Sequence, residues 1–435
     1  MAQEAPENIR FETFQASLEE SGVPEARTLA WYEADAFGFH EERLEPARLA
    51  EVIGVHCRDG RFLTGAYDDG LPDYAWDPAV PVATYGTMVN DLNVGGGKLL
   101  PTHLVTGVTV RPTHRRRGIL RAMMTADLQR AKEQGRALAA LTASEATIYG
   151  RFGFGAASST ALIEVDVRNR LQFRQVPAGT VSVADPAKIE ELSPQIYRAH
   201  LERTFGALGR QHSYPRRASG AWGVSAPEPD RGVRTVLHYD PAGTPDGYAT
   251  YKSMGWETEP HTMKVIDLVA ASDEAYLGLW HYLGSIDLVE RLTFDAAPLE
   301  DPLPWALADR RRYKVTGVDD VLWLRLLDTP AALAARGYFG DGALELSVTD
   351  PMGLAGGTWL LEVTEGNASV TPATGGGAGL PRADISIDAL GSLYLGGVTA
   401  PTLAASGALT GGADALAVLD RMFTAGPAPY CSTQF

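Results

Sequence analysis

A strand, a basic turn and a helix follow one another between residues 104 and 131, and this order constrains the fold more than any other feature. Leu104 to Val110 is rich in β-branched residues and closes at Arg111-Pro112, where proline denies a sheet its next backbone donor. This run predicts a strand. After Gly118, apolar residues recur at spacings of four, four and three, as one face of a helix requires: Leu120, Met124, Leu128 and Ala131.

The turn between this strand and helix concentrates positive charge in a chain whose formal net charge is −16. Four arginines fall within seven residues: Arg115, Arg116, Arg117 and Arg121. A helix N-terminus presents free backbone N–H groups and the positive end of the helix dipole, and arginines add hydrogen bonds to phosphate oxygens. A lone run of arginines is usually a solvated patch, but this context favours an anionic ligand such as a diphosphate.

The rest of the first third reads as mixed α/β. Ile9 to Phe14 predicts an opening strand and Glu51 to Cys57 a second. Ala137 to Leu141 is short and apolar enough for a buried strand. A small helix carrying Tyr149 and a glycine-punctuated segment, residues 150–155, complete the order.

A similar order recurs in the middle of the chain, and the last hundred residues differ in character. Predicted strands at 181–184, 235–239, 247–252 and 264–269 alternate with helices from Pro186 and Asp273. Strands at 344–349, 358–363 and 368–371, with a glycine-rich stretch at 375–379, indicate a separate α+β domain. We therefore predict domains at 1–168, 169–327 and 328–435, of α/β and α+β class.

Several classes of function are disfavoured by composition. The acidic balance makes nucleic acid an unlikely partner, since phosphate binding needs a concentrated basic surface. Two distant cysteines and nine unclustered histidines lead us to expect no disulfide framework and no metal. No apolar run approaches 18 residues and the N-terminus lacks the pattern of a secretory signal, so we expect no membrane span and a cytoplasmic location.

The basic turn resembles a known family. The pattern V-x-V-x-P-x-x-R-R-x-G, followed by I-Y-G-R-F-G-F, is similar to that of GNAT acetyltransferases. The fuller strings T-H-R-R-R-G-I-L-R-A-M and A-S-E-A-T-I-Y-G-R-F-G resemble the enhanced intracellular survival (Eis) family, as do residues 301–304, residues 390–397 and the terminal phenylalanine. The resemblance implies tandem GNAT-like domains followed by a sterol-carrier-protein-like α+β domain. It also implies a homohexamer that acetylates amines, including aminoglycosides at several positions, with acetyl-CoA.

The resemblance also implies roles for individual residues. Tyr149 matches the family's proton donor, and the α-carboxylate of Phe435 matches its base. Asp301 matches a residue of the amine pocket, with Asp35 and Glu33 as further candidates, whereas Gln434 stands where the family has an acid. The implied acetyl-CoA site comprises Val108, Thr109, Val110, Arg116, Arg117, Gly118, Ile119, Leu120, Arg121, Ser144 and Glu145.

The central domain is expected to be catalytically silent. Where the first domain has Arg-Arg-Arg-Gly, this one has Ala270-Ala271-Ser272-Asp273-Glu274, and carboxylates at a helix N-terminus would repel a diphosphate. Other functions stay open for the whole chain. They are a longer-chain N-acyltransferase, a protein lysine acetyltransferase, and a non-enzymatic lipid carrier or oligomeric scaffold.

Overall fold

The computed structural model describes residues 8–223, 226–373 and 379–435. The glycine-rich stretch lies outside these ranges up to residue 378. The first third contains β1 (Ile9–Gln15), α1 (Ala26–Gly38), α2 (Pro46–Arg58), β2 (Phe62–Asp68), β3 (Ala83–Asn93), β4 (Leu99–Val110), α3 (Ile119–Glu133), β5 (Leu138–Leu141), α4 (Ala146–Tyr149), β6 (Gly155–Ala156) and β7 (Ser159–Asp166).

The middle third repeats this order with its own strands and helices. It contains β8 (Thr180–Val183), α5 (Pro186–Arg203), α6 (Ser213–Ala218), β9 (Arg234–Tyr239), β10 (Pro245–Ser253), β11 (Thr262–Ala270), α7 (Asp273–Leu283), β12 (Arg291–Ala297), α8 (Leu303–Ala306), β13 (Tyr313–Asp320) and β14 (Trp323–Leu326). The last third contains α9 (Thr329–Ala335), β15 (Gly342–Thr349), β16 (Gly357–Thr364), β17 (Asn367–Pro372), β18 (Arg382–Ser386), α10 (Ile387–Leu393), α11 (Ala400–Ala405), β19 (Leu409–Gly411) and α12 (Ala413–Thr424).

The first two sheets have the same strand plan, and each takes one strand from the other half of the chain. Their orders are β1-β2-β3-β4-β5-β14-β6 and β8-β9-β10-β11-β12-β7-β13. In each sheet the fourth and fifth strands are parallel and are joined by a helix, α3 or α7. The strand beside this pair, β14 or β7, is the exchanged one, so the two sheets fold as a linked pair.

The predicted domain ranges stay a prediction, but strand pairing crosses the boundary between the first two ranges in both directions. Strand β7 lies within 1–168 and pairs with β12 and β13 in the second sheet. Strand β14 lies within 169–327 and pairs with β5 and β6 in the first. The exchange depends on pairing between distant residues, which local periodicity does not encode.

The predicted strand at Glu51 to Cys57 is wrong, because these residues belong to helix α2. Leu49, Ile53 and Cys57 recur every four residues and pack together into the core beside α1. Pro46 occupies the first turn of this helix, where its missing N–H costs nothing. Helical spacing therefore outweighed the short apolar run that suggested a strand.

The last third packs directly against the first sheet. One continuous core joins Leu104 and Leu324 of the first sheet to Leu346 and Leu390 of the last third, whose own sheet has the order β17-β16-β15-β18-β19. A Cβ at Gly391, on α10, would lie only 2.3 Å from the carbonyl oxygen of Leu324, so glycine is required for this contact. The exchanged strand β14 thus lies within the first sheet and packs directly against the last third.

Candidate active site

The first sheet opens where β4 and β5 separate. These parallel strands pair only at His103 with Ala139 and Leu104 with Ala140, although β4 continues to Val110. A cavity of about 270 Å³ lies at this opening. Its lining comprises Phe39, Val105, Thr106, Gly107, Val108, Thr142, Ala143, Ser144, Tyr149, Asp320, Val321, Gln434 and Phe435.

A β-bulge shapes one wall of this cavity. Thr84 pairs with Thr109 and Gly86 with Thr106, so two residues of β4 lie opposite one of β3. Gly107 has φ +56°, and a Cβ there would lie 2.8 Å from the Trp31 ring and 3.1 Å from Asp35 Oδ1. Glycine is therefore required both by the backbone conformation and by the close approach of α1.

The two predicted catalytic groups line this same cavity. Tyr149 is buried, which raises the pKa of its phenol against an opposing hydrogen bond with Ser144. Thr142 Oγ1 donates a hydrogen bond to the terminal oxygen of Phe435 at 3.2 Å. The Phe435 ring packs beside the core shared with the last third. Tyr149 and Phe435, which are 286 positions apart in the sequence, therefore line one cavity. The first carries a phenol hydroxyl and the second the terminal carboxylate.

The basic turn follows β4 directly. Gly118, with φ +79°, starts α3, and within the described residues no side chain caps this helix and no acid occupies its first turn. The four arginines of the turn are exposed, and Arg116 itself adopts φ +65°. Free N–H groups, the helix dipole and exposed guanidinium groups at one place suit the diphosphate of a coenzyme.

A buried pair that the sequence reading missed fixes this turn. His114 is 5% exposed, and its Nε2 lies 3.0 Å from Asp68 Oδ2 at the end of β2. Burial alone would raise the pKa of Asp68, but hydrogen bonds from Gly70, His114 and Asn8 together lower it. Arg117 donates to the carbonyl of Thr113 at 3.2 Å. The only signals in the sequence were an acid at the end of one strand, Asp68, and a histidine in the turn after another, His114.

The other residues predicted for acetyl-CoA lie along the same edge. Val108 and Ser144 line the cavity, whereas Thr109 is buried with its Oγ1 2.7 Å from that of Thr84. Ile119 is buried and Leu120 half-buried beneath the first turn of α3, and Glu145 is exposed ahead of α4. Val110 ends β4, and its carbonyl accepts a hydrogen bond from Arg115 at 3.3 Å.

The corresponding turn in the second sheet is built differently. Ser272 caps α7, since its hydroxyl accepts the N–H of Ala275 at 3.0 Å. Asp273 and Glu274 occupy the first turn, and Asp273 pairs with Arg203 at 2.8 Å. The groups that α3 leaves free are therefore already satisfied in α7.

Of the predicted amine-binding acids, Asp35 lies nearest the cavity. Its carboxylate approaches the bulge at Gly107 and lies 3.4 Å from Thr84 Oγ1. Burial, followed by the charge of Glu41, raises the pKa of Asp35 to about 7. Glu33 lies on the same helix; both acids are half-buried, and neither is among the described residues that line the cavity.

Asp301 lies elsewhere, in the part of the molecule built around the second sheet, which is called the second half below. Its carboxylate accepts hydrogen bonds from Tyr276 (2.9 Å), Tyr313 (3.0 Å) and the N–H of Leu303 (2.7 Å). Burial raises the pKa of Asp301 to about 6, against these hydrogen bonds. It borders a separate, wider cavity with Trp305 and Arg310, so the structure does not bring it to Tyr149 and Phe435.

Two properties of the described residues bear on other functions. No group of three or more histidine, cysteine, aspartate or glutamate side chains in these residues is arranged to hold a metal ion. None of the helices that the structure describes combines the length and apolar character needed to cross a bilayer.

Comparison with known families agrees with the observed architecture. Residues 75–157 match an acetyltransferase (GNAT) domain, and residues 206–326 match another. Residues 329–432 match a sterol carrier protein domain. The predicted fold, tandem GNAT domains followed by a sterol-carrier-like domain, is confirmed.

Individual relatives narrow the assignment. N-acetyltransferase Eis of Mycobacterium tuberculosis is 36% identical over 73% of this chain and 76% of its own length. An uncharacterized N-acetyltransferase of Streptomyces griseus is 37% identical over 81% of this chain and 86% of that protein. Eis1 from Mycobacterium abscessus has a crystal structure with a TM-score of 0.77 and 28% identity, covering 98% of this chain and all of that one. The chain therefore belongs to the Eis family of GNAT N-acetyltransferases.

Proposed function

We propose that this enzyme transfers the acetyl group of acetyl-CoA to the amino group of a cationic small molecule. The observation that carries the proposal is the cavity between β4 and β5, which Tyr149 and Phe435 both line, beside an arginine-rich helix start. Aminoglycosides, acetylated at several positions, are the substrates that the family resemblance implies. Acetyl-CoA would supply the acyl group as a thioester held along β4, with its diphosphate at α3.

The carboxylate of Phe435 is proposed to act as the base. An alkylammonium has a pKa of about 10 and must lose a proton before its nitrogen can attack. A carboxylate with an intrinsic pKa of about 3.5 is a weak acceptor, so partial desolvation or a relaying water is needed. The cavity has room for a water beside the hydroxyl of Thr142, which already orients the carboxylate.

Tyr149 is proposed to donate the proton that the departing sulfur requires. Its burial keeps the phenol protonated at neutral pH, because burial raises its pKa. A phenol is a weak acid, but it is well matched to a thiolate that becomes basic as it leaves. The proposed base, Phe435, and the proposed acid, Tyr149, thus come from distant parts of the chain and line one cavity.

Two features support a cationic acceptor. The half-buried carboxylate of Asp35 beside the bulge and the net charge of −16 both attract cations. We also propose self-association as a homohexamer, which light scattering would contradict by reporting only the 46.6 kDa monomer.

A panel of amines tests the function directly. Purified enzyme should release free thiol from acetyl-CoA only when an amine is present, and polyamines such as aminoglycosides should give products of increasing acetyl number by mass spectrometry. Myristoyl-CoA and a lysine peptide serve as competing substrates. Preferential turnover of either would replace this proposal, and failure to bind CoA together with co-purified lipid would favour a carrier.

A further inference from the structure

The C-terminal tail, residues 427–435, crosses the second half of the molecule before it reaches the cavity. Pro429 packs against Gly206, where a Cβ would lie 2.8 Å from the proline side chain. The N–H of Tyr430 donates to the carbonyl of Phe205 at 2.9 Å, and its hydroxyl donates to the carbonyl of Ala296 at 2.7 Å. Both ends of Tyr430 are therefore tied to the central part of the chain.

These contacts lie where the second sheet opens. Strands β11 and β12 pair only at Thr262–Val265 with Arg291–Phe294, and both continue beyond that point. Past the last pair, Asp267 on β11 binds Arg210 and Ala296 on β12 binds Tyr430. This opening corresponds to the one that forms the cavity in the first sheet, and here an arginine and the tail occupy it.

Arg210 is held from several directions. Its two terminal nitrogens donate to Asp267 at 2.6 and 2.8 Å, and one of them also donates to Ser432 Oγ at 3.3 Å. The guanidinium carbon lies 4.3 Å from the centre of the Tyr197 ring and 4.2 Å from that of Tyr214. A paired and doubly stacked arginine is rigid, and it orients both tyrosines.

These two tyrosines form hydrogen bonds with the residues just before the chain end. Thr433 is fully buried, its hydroxyl donates to the carbonyl of Leu208 at 3.0 Å, and it lies 2.8 Å from the Tyr197 hydroxyl. The Tyr214 hydroxyl accepts the N–H of Gln434 at 2.8 Å and donates to its carbonyl at 3.1 Å. Each residue from Ser432 to Gln434 is thus fixed by the second half, while Phe435 lies in the cavity of the first.

We infer that Tyr214, oriented by Arg210, is a positioning residue that holds the terminal carboxylate at the reaction centre, with Tyr197 and Thr433 as its supports. This inference rests on the proposed role of Phe435 as the base. Chain ends fray unless they are tied down, and a base displaced by about 1 Å can lose much of its effect. The opening of the second sheet would then serve catalysis by anchoring the tail instead of binding a coenzyme.

Tyr214→Phe tests the inference, because it keeps the ring on Arg210 and removes only the hydroxyl that binds Gln434. Tyr282→Phe is the matched control, since that hydroxyl in the second half bonds to Tyr251 at 3.1 Å. We expect Tyr214→Phe to lower kcat roughly 10-fold to 100-fold with an unchanged KM for acetyl-CoA, and Tyr282→Phe to leave both unchanged. Thr433→Val should act in the same direction.

Repeating Tyr214→Phe and Tyr282→Phe in a chain extended past Phe435 distinguishes an effect on the position of the tail from a general disturbance of the fold. If Tyr214 acts through the tail, its substitution lowers kcat in the native chain and leaves the residual rate of the extended chain unaltered. Equal losses in both chains, or a native-like kcat for Tyr214→Phe, would overturn the inference.

A second measurement does not depend on activity. Carboxypeptidase A should release Phe435 at least tenfold faster from Tyr214→Phe than from the native chain or from Tyr282→Phe, as followed by intact mass. Equal release rates would show that Tyr214 does not hold the tail. An enzyme that acetylates no amine but retains this protection would reject the proposed function and leave the anchoring of the tail established.

Discussion

In the first sheet the helix after the opening begins at Gly118 with its N–H groups uncapped and arginines around it, whereas in the second it begins at Ser272, which caps it, followed by two acids. The strand plans of the two sheets are the same. The first opening holds a cavity lined by Tyr149 and Phe435, and the second is filled by Arg210, Asp267 and the tail. The same strand plan therefore surrounds a cavity in the first sheet and a segment of the chain's own tail in the second.

The largest expected effect comes from removing the terminal carboxylate that the tail brings to the first opening. Extending the chain past Phe435 with a short tag converts its carboxylate to a neutral amide, and we expect kcat to fall about 10²-fold to 10⁴-fold, as for loss of a general base. Affinity for acetyl-CoA, measured by calorimetry, should be nearly unchanged. Native turnover by a tagged chain of confirmed mass would show that another group is the base.

Removing the proposed acid should have the next largest effect. Tyr149→Phe keeps the packing of the buried ring and removes the hydroxyl, so we expect kcat to fall about 10²-fold with coenzyme affinity intact. The Tyr282→Phe control in the second half should be silent in the same thiol-release assay. A comparable loss in both would mean that ring substitutions disturb the linked sheets in general.

The contrast between the two helix starts predicts a smaller effect, on coenzyme binding. Arg116→Ala and Arg117→Ala should each raise the KM for acetyl-CoA about tenfold through a lost charge-assisted contact. Arg116 should matter more, since Arg117 also bonds to Thr113. Replacing Asp273 and Glu274 by alanine should neither weaken acetyl-CoA binding nor create a second site. Two molecules of acetyl-CoA bound per chain in calorimetry would show that the second half can bind the coenzyme.

The smallest expected effect compares two of the acids predicted to bind the amine, Asp35 and Asp301. The pKa of Asp35 is raised to about 7, so its carboxylate is absent below that pH and forms as pH rises through it. An amine with a pKa of about 10 stays cationic over this range, so its affinity should increase several-fold between pH 6 and 8. Asp35→Asn should remove this increase in a calorimetric titration.

Asp301→Asn provides the comparison for that titration. Its carboxylate already accepts three hydrogen bonds, so the change should lower thermal stability more than amine affinity. If Asp301→Asn alone weakened amine binding, the amine pocket would extend to the second half, as the sequence resemblance predicted.

Much of the fold could be predicted from local sequence. The β-branched run ending at Pro112 and the helical spacing after Gly118 predicted β4 and α3, and the strands predicted at 235–239 and 264–269 correspond to β9 and β11. Local patterns failed at α2, where four apolar residues close together resembled a strand while the spacing of Leu49, Ile53 and Cys57 was helical. Short apolar runs do not distinguish helix from strand by periodicity alone.

By itself the sequence predicted the order of strand, basic turn and helix, a tyrosine placed after the next strand, and two further domains. These depend on residues within about forty positions of each other, whose local conformations are encoded by local spacing, capping and turn chemistry. Only the tertiary structure decided that β7 and β14 exchange sheets, that Gly107 forms a bulge, that Asp35 lies nearer the cavity than Asp301, and that Tyr214 holds the tail. Those outcomes depend on strand pairing and packing between residues that are distant in the chain, and no local pattern specifies such partners.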